Sequence, residues 1–374
     1  IIIMTNRLYF FANIGDWKKN PIGGGQTSAR RVIEGLRLMN IEIIEVDRHW
    51  NVLTSKIGHH MENSFYAAVN TLQLFGKLLF GRRKDSAMFH ISYSASLLPL
   101  EFVNGILARI LGYKTILYLK GGKLEDTIKG LHGLKRWMFK KNLDLRSLVL
   151  FEGESDIERV RPFTNTRLVY FPNYIFEKNI PSQQPVKPKD YIGICHFGRI
   201  TEDKNVHIVL DTFELLAEKY DNIRLTLVGG LSGKGGNKSY YEMIENRCRK
   251  SKYSNRILRV GLSSQAYIAE MLSENHIFLF PSADPCEGQS NSLNEAMTWG
   301  VVPVVSDFHF NKTIVADDRL VVNGYAAQDY ANRISSLIDS KLLNDISVEM
   351  WERIKNVYSF KCVNKRISEE IKNV

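Results

Sequence analysis

The sequence predicts an α/β protein of two doubly wound domains that face each other across a cleft. Three observations carry this expectation. The chain has 374 residues, and at roughly 150 residues per domain that is room for two. Apolar runs of strand length alternate with amphipathic runs of helix length in two successive series. Between the series lies the polar stretch Glu177 to Asp190, whose three prolines read as a linker.

In the first series the apolar runs predict strands at 7–12, 41–46, 87–91, 114–119, 147–151 and 167–171. Helical periodicity predicts helices at 26–39, 64–81, 97–111 and 131–144. The second series predicts strands at 192–197, 223–228, 256–260, 277–280 and 301–305, and helices at 205–220, 239–250, 264–274 and 291–299, the last stopped by Gly300. The tail from Trp351 reads as helix with a break at Tyr358-Ser359-Phe360. Ligands of open parallel sheets bind outside the carboxyl ends of the strands, so those ends are where chemistry is expected.

Composition narrows the class. A chain that is 44% hydrophobic and 24% charged is folded and soluble in character. Its most apolar stretch, near Leu97, is interrupted by Glu101 and Arg109 and is too short for a membrane span. The opening Ile1-Ile2-Ile3-Met4 has no basic region or cleavage pattern of a secretory leader. Cys195, Cys248, Cys286 and Cys362 match no zinc or disulfide spacing and read as reduced thiols, which points to the cytoplasm. Residues 1–180 hold 26 Lys and Arg against 16 Asp and Glu, so the whole net charge of +10 sits in the first half. Such asymmetry suggests that this half meets a polyanion, an anionic membrane or a phosphorylated substrate.

Three segments at strand ends hold the candidate site residues. After the first strand comes Gly15 to Thr27, where Gly23, Gly24 and Gly25 form a loop into a helix that permits close backbone approach to a phosphate or sugar. It fits neither the dinucleotide fingerprint nor a Walker loop. After the first strand of the second series come Arg199 and Lys204, placed to reach one diphosphate, Arg as a fork and Lys as a point charge. After the strand at 277–280, Glu287 lies on a loop and Glu295 one turn into a helix, with Gly288, Gln289, Ser290, Asn291 and Ser292 between them. A carboxylate accepts hydrogen bonds from two neighbouring hydroxyls, so the glutamates could hold a ribose and a second sugar with phosphates between; plain helix capping is the alternative.

In combination these segments resemble the family 4 glycosyltransferases, which have the two-domain GT-B fold of Rossmann-like units. The resemblance rests on Phe197-Gly198-Arg199 with Lys204, Leu227-Val228-Gly229-Gly230, Val260-Gly261, the run from Glu287 to Met297, and Gly300 to Asp307. The first half matches by pattern, by its glycine run and by Phe171-Pro172-Asn173. The resemblance implies a nucleotide-diphosphate sugar, UDP- or GDP-linked, as co-substrate, and no metal or other cofactor. It implies that Arg199 and Lys204 bind the diphosphate, Glu295 the ribose and Glu287 the transferred sugar. The backbone of 288–292 would contact sugar and phosphate, and Val260 and Gly261 would lie near the base. It also implies retention of anomeric configuration, and a final helix that crosses back to the first domain. The expected organisation is then an acceptor-binding domain of residues 1–178 with 358–374, a linker at 179–189, and a nucleotide-sugar domain at 190–357.

Many relatives place His-Gly where this chain has Lys120-Gly121; Lys120 reads either as a contact to the sugar or a phosphorylated acceptor, or as a solvated loop residue. His90 reads either as lining the cleft or as a structural histidine. Asn173, in the turn before the crossing, is a third candidate contact in this half. The segment 131–146 mixes cations with Trp137 and Phe139, which suits an anionic membrane and a polyprenyl-diphosphate-linked acceptor at its inner face, as in capsule or lipopolysaccharide assembly. An ordinary amphipathic helix fits it equally. Two rivals remain: a nucleotide-sugar epimerase or phosphorylase of the same fold, and a basic nucleic-acid binder, for which no helix-turn-helix, RNP or zinc signature is present.

Overall fold

A computed structural model describes residues 5–19, 23–48, 56–93, 98–231 and 237–374. The chain divides into two compact units, Ile1–Asn173 with Phe360–Val374, and Tyr174–Ser359.

The first unit runs β1 (Arg7–Ala12), α1 (Gly23–Leu38), β2 (Glu42–Asp47), α2 (Lys56–Leu79), β3 (Ser86–Ser92), α3 (Leu98–Ile110) and β4 (Lys114–Leu119). It continues with α4 (Leu124–Lys129), α5 (Gly133–Asp144), β5 (Leu148–Phe151), α6 (Glu154–Val160) and β6 (Leu168–Tyr170). Its six parallel strands lie in the order β2-β1-β3-β4-β5-β6. The chain moves one way from β1 to β2 and the other way from β2 onward. Right-handed crossovers therefore put α1 on one face and α2, α3 and α5 on the other. Central strands are buried on both faces, as β3 is along its whole length, and Phe10 stacks on Phe89 across the β1–β3 ladder at 5.0 Å.

The second unit runs β7 (Ile192–Phe197), α7 (Val206–Lys219), β8 (Ile223–Val228), α8 (Lys238–Lys250), β9 (Ile257–Val260), α9 (Gln265–Glu274) and β10 (Ile277–Phe280). Then follow α10 (Asn291–Thr298), β11 (Val302–Ser306), α11 (Asn311–Val315), β12 (Val321–Val322), α12 (Ala327–Asp339) and α13 (Leu343–Arg353). Strand order is β12-β11-β10-β7-β8-β9, all parallel. The order reverses between β7 and β10, which makes the carboxyl ends of those two strands the switch point where such sheets hold ligands. Gly300 ends α10 at a φ of +63°, and a Cβ there would lie 2.7 Å from Ser347 Oγ, so the stop needs glycine.

The final helix α14 (Phe360–Lys372) belongs to the first unit. It buries Val363, Ile367 and Ile371, one face at four-residue spacing, and its Lys372 carbonyl accepts from Thr5 N at 2.8 Å. The break expected at 358–360 is a single extended residue, Ser359, paired with Ile175.

Two readings from the sequence need correction. The glycine run expected as a loop forms the first turn of α1, which starts at Gly23. The stretch 179–189, expected as a linker, is tied to the second unit: Lys187 Nζ donates to the carbonyls of Leu272 and Trp299, at 2.7 and 2.9 Å, and Gln184 to Ser347 Oγ at 2.9 Å. Prolines removed its backbone donors, but a lysine that caps three carbonyls fixes it all the same.

Candidate active site

The second unit gathers charge at its switch point. Beyond β7 the chain turns through Gly198, at a φ of +142°, where it must pass the end of β8 closely. A Cβ on Gly229 would lie 1.8 Å from Gly198 O, so the two strand ends fit only because Gly229 carries no side chain, while Gly198 is favoured by its positive φ alone. Arg199 follows directly. Lys204 closes a short 3₁₀ turn, Glu202–Lys204, and Asn205, left-handed at a φ of +52°, donates from its amide to Pro281 O at 2.9 Å. That bond and Ala283 N to Asp203 O, at 2.8 Å, lock the turn onto the end of β10.

The two cations converge on one carboxylate. Arg199 Nη2 donates to Asp284 Oδ2 at 2.6 Å, and Lys204 Nζ lies 3.2 Å from the same oxygen. Lys204 is also in direct ion-pair contact with Glu287 and reaches Ser282 Oγ at 3.4 Å. Asp284 is buried, and its other oxygen accepts from Cys286 N at 2.8 Å. Burial alone would raise this carboxyl, but Lys204, the Cys286 amide and Arg199 outweigh it and hold it below the ordinary range. Burial lowers the Lys204 ammonium, with Asp284 acting against that shift and Arg199 with it. Arg199 itself is half exposed, and among the described residues only one arm of its fork is engaged. Two positive and two negative groups thus neutralise one another around a point that an anion could take over by exchanging for a carboxylate.

The loop after Glu287 leads straight into α10. Gly288 and Glu287 are half-buried, while Gln289 and Ser290 are buried. Ser290 caps the helix, accepting from Leu293 N at 3.4 Å, and Asn291 and Ser292 form its first turn, half-buried. Glu295 follows one turn further along, also half-buried. Val260 and Gly261 lie at the end of β9, at the sheet edge two strands from β7. They join the cluster through Gly229, whose amide donates to Val260 O at 3.0 Å. Arg259 supports this corner, donating to Gly229 O at 2.8 Å. Of the residues expected in this half, the structure gathers Arg199, Lys204 and Glu287 around Asp284. Asp284 was missed, although it stands only three residues before Glu287; a third acid just past the strand at 277–280 was its signal.

The candidates of the first half form a separate constellation. Lys120, just past β4, is buried and donates to Tyr118 Oη and Asn173 Oδ1, both at 2.9 Å, and lies 2.6 Å from Glu152 Oε1. It is not a solvated loop lysine, and all three ammonium donors are spent. Burial lowers its pKa, with Glu152 acting in the opposite direction. Glu152, unnoticed in the sequence, also accepts from Asn173 Nδ2 at 3.1 Å and from Gly121 N at 2.9 Å. His90 sits inside β3 with its ring 5.0 Å from Phe11, almost wholly buried, and so contributes to the core. Burial first, then Arg48 and Arg146, push it well below its ordinary pKa, which leaves it neutral. Gly25 O accepts from Tyr93 Oη at 2.7 Å, and a Cβ on Gly24 would meet only open space. The glycines are therefore not imposed by packing within the unit.

A family description, glycosyl transferases group 1, matches residues 177–356. An uncharacterised glycosyltransferase of Methanocaldococcus jannaschii is 24% identical over 229 residues, 58% of this chain and 53% of that protein, so the match spans about half the relative's length. Among solved structures, the sucrose-phosphate synthase from Thermosynechococcus elongatus superposes with a TM-score of 0.73 at 14% identity, over 97% of this chain and 98% of the other. HepE of Anabaena, in complex with UDP-glucose, gives 0.66 at 13% identity over 98% and 100%. At such identities these likenesses establish the fold, GT-B.

Proposed function

We propose that this chain, which the glycosyl transferases group 1 description matches over residues 177–356, is a retaining, metal-independent glycosyltransferase that moves a hexosyl-type sugar from a UDP- or GDP-linked donor. The acceptor is a saccharide or a polyprenyl-diphosphate-linked sugar, in surface polysaccharide assembly at the inner face of a cytoplasmic membrane. The observation that carries the reading is the meeting of Arg199 and Lys204 beside Asp284 and Glu287 at the switch point of the second sheet. The donor diphosphate takes the place of carboxylate oxygens on the two cations, Arg199 as a fork and Lys204 as a point charge. Asp284 keeps the pair together while the site is empty. Glu287, released from Lys204, accepts hydroxyls of the transferred sugar, and Glu295 those of the ribose. The 288–292 backbone at the start of α10 faces the phosphates, and Val260 and Gly261 lie toward the base.

In the reaction the bond from the anomeric carbon to the β-phosphate oxygen breaks, and its electron pair leaves on that oxygen. The acceptor hydroxyl bonds to the same face of the sugar and gives its proton to the departing phosphate. Charge on the leaving group is largest in the transition state, so Arg199 and Lys204 act mainly there. In the first unit, the Lys120–Glu152–Asn173 cluster fixes the Gly121 turn, which is offered to the acceptor. The likeness to a protein that holds UDP-glucose makes UDP the first nucleotide to test. A thermal-shift series with UDP, GDP and their sugar conjugates should show stabilisation of about 2.7 kcal/mol at 100 Kd for the true donor. Stabilisation by none overturns the donor site; donor conversion without any acceptor favours an epimerase.

A further inference from the structure

Helices α2, α3 and α5 of the first unit form one layer: α3 packs on both neighbours, and its Phe102 meets Trp137 of α5 edge to face at 6.0 Å. A surface helix ordinarily turns polar side chains outward. On and beside this layer Phe65, Leu72, Phe80, Ile110 and Leu134 are each more than 60% exposed, and elsewhere among the described residues only Leu38, Val186 and Leu262 are. Phe65, Leu72 and Leu79 recur at seven residues in α2, as do Val103 and Ile110 in α3. Seven residues is two helical turns, so each series makes one outward line. Trp137, half exposed, continues the apolar surface on α5.

The exposed charge on this layer is almost all positive. Lys77 and the run Arg82-Arg83-Lys84 flank the α2 line, Arg109 stands beside Ile110, and Lys135, Arg136, Lys140 and Lys141 surround Trp137; all are exposed. Asp144 is the one exposed acid among the described side chains of these three helices. Exposed acids of the unit such as Glu154 lie on α6, which packs instead on α4.

We propose that this layer is the surface by which the protein docks on an anionic lipid bilayer. Aliphatic and aromatic side chains pointing outward gain free energy by entering the acyl boundary, and a ring of Lys and Arg around them meets anionic headgroups. A second copy of the chain would not fit, because a two-fold contact sets the patch against itself and brings like charges together. A nucleic acid would satisfy the cations but leave Leu72, Phe80, Ile110 and Leu134 without apolar partners. The proposal rests on the lipid-linked acceptor suggested above and locates the face that would meet that acceptor's membrane.

Full-length protein is sedimented with neutral phosphatidylcholine vesicles and with vesicles containing about 30% phosphatidylglycerol, at low and high salt. Binding should favour the anionic vesicles by at least ~10-fold at low salt. Arg82→Ser/Arg83→Ser/Lys84→Ser should lower it by ~10-fold or more at low salt, and Phe80→Ser/Leu134→Ser should abolish what persists at high salt. Indifference to lipid charge, or variants that bind as the parent does, overturns the proposal. So does equal retention by duplex DNA at the same salt, or a dimer that these substitutions dissolve. Thermal shift with UDP on the same samples checks folding and separates the two readings. A protein that binds vesicles but no nucleotide keeps this surface and loses the donor site, whereas one that binds UDP and ignores vesicles loses the surface.

Discussion

Lys120 and Lys204 are both buried lysines that face carboxylates just past parallel strands, yet they are built for different ends. Lys120 spends three donors on Glu152, Asn173 and Tyr118, and Glu152 in turn is filled by Asn173 and the Gly121 amide. Lys204 shares Asp284 with a half-exposed arginine and also touches Glu287. The first cluster is closed, and a ligand would have to break it. The second has partners that an incoming anion can replace while both cations stay paired, and the half-buried Glu287 that it releases is free to accept from hydroxyls. A buried ion pair is by itself no sign of a binding site; what matters is whether its members can change partners.

The comparison can be broken at several points. Lys120→Met strands Glu152 without its cation in a closed, buried site and should cost about 3–5 kcal/mol of stability. Denaturant unfolding would measure this, and nucleotide binding to the folded variant should be unchanged. Lys204→Ala should lower kcat by ~100-fold or more, about 3 kcal/mol of transition-state stabilisation. Normal turnover in steady-state assays would remove Lys204 from the reaction. Glu295→Ala should instead raise the donor's KM by about tenfold and leave kcat nearly as it was, since it acts on ground state and transition state alike.

The smallest effect concerns pH. The native Asp284 carboxyl is held below its ordinary value of 3.8, so between those values the unfolded chain binds more protons. Asp284 therefore stabilises the fold fully above its ordinary value, and loses that contribution as pH falls through the depressed one. Asp284→Asn should flatten this acid limb in thermal unfolding followed from pH 5 downward. A limb of unchanged slope would mean that Asp284 is not held by the cations in solution.

Much of this was legible in the chain because the physics involved is local. Parallel strands buried on both faces are apolar runs, and Gly300, Ser290 and the prolines mark ends; the strands of both sheets were placed within a few residues, except the two-residue β12, which is too short to show as a run. The cations and glutamates at strand ends were legible because sheet topology gathers strand ends in one place. What was not legible depends on distant partners. Glu152 is 32 residues from Lys120, and nothing local marks it as that lysine's counterion. The glycine run at 23–25 looks like a loop by propensity but is drawn into α1, and the proline-rich stretch looked free until Lys187 found the carbonyls that end α9 and α10. Short helices such as α4, α6 and α11 carry too few turns for a period to emerge.

The pairing of Ile175 with Ser359 has a consequence for how the protein comes to exist. The first unit is interrupted by the whole of the second, whose entry and exit strands lie side by side. On the ribosome the domain that is begun first is therefore completed after the second, since Val363, Ile367 and Ile371 emerge only once the whole second unit has been made. Until then its sheet waits with an apolar seam uncovered. A stop codon near residue 359 would spare the second unit, yet deprive the first of the helix that seals it.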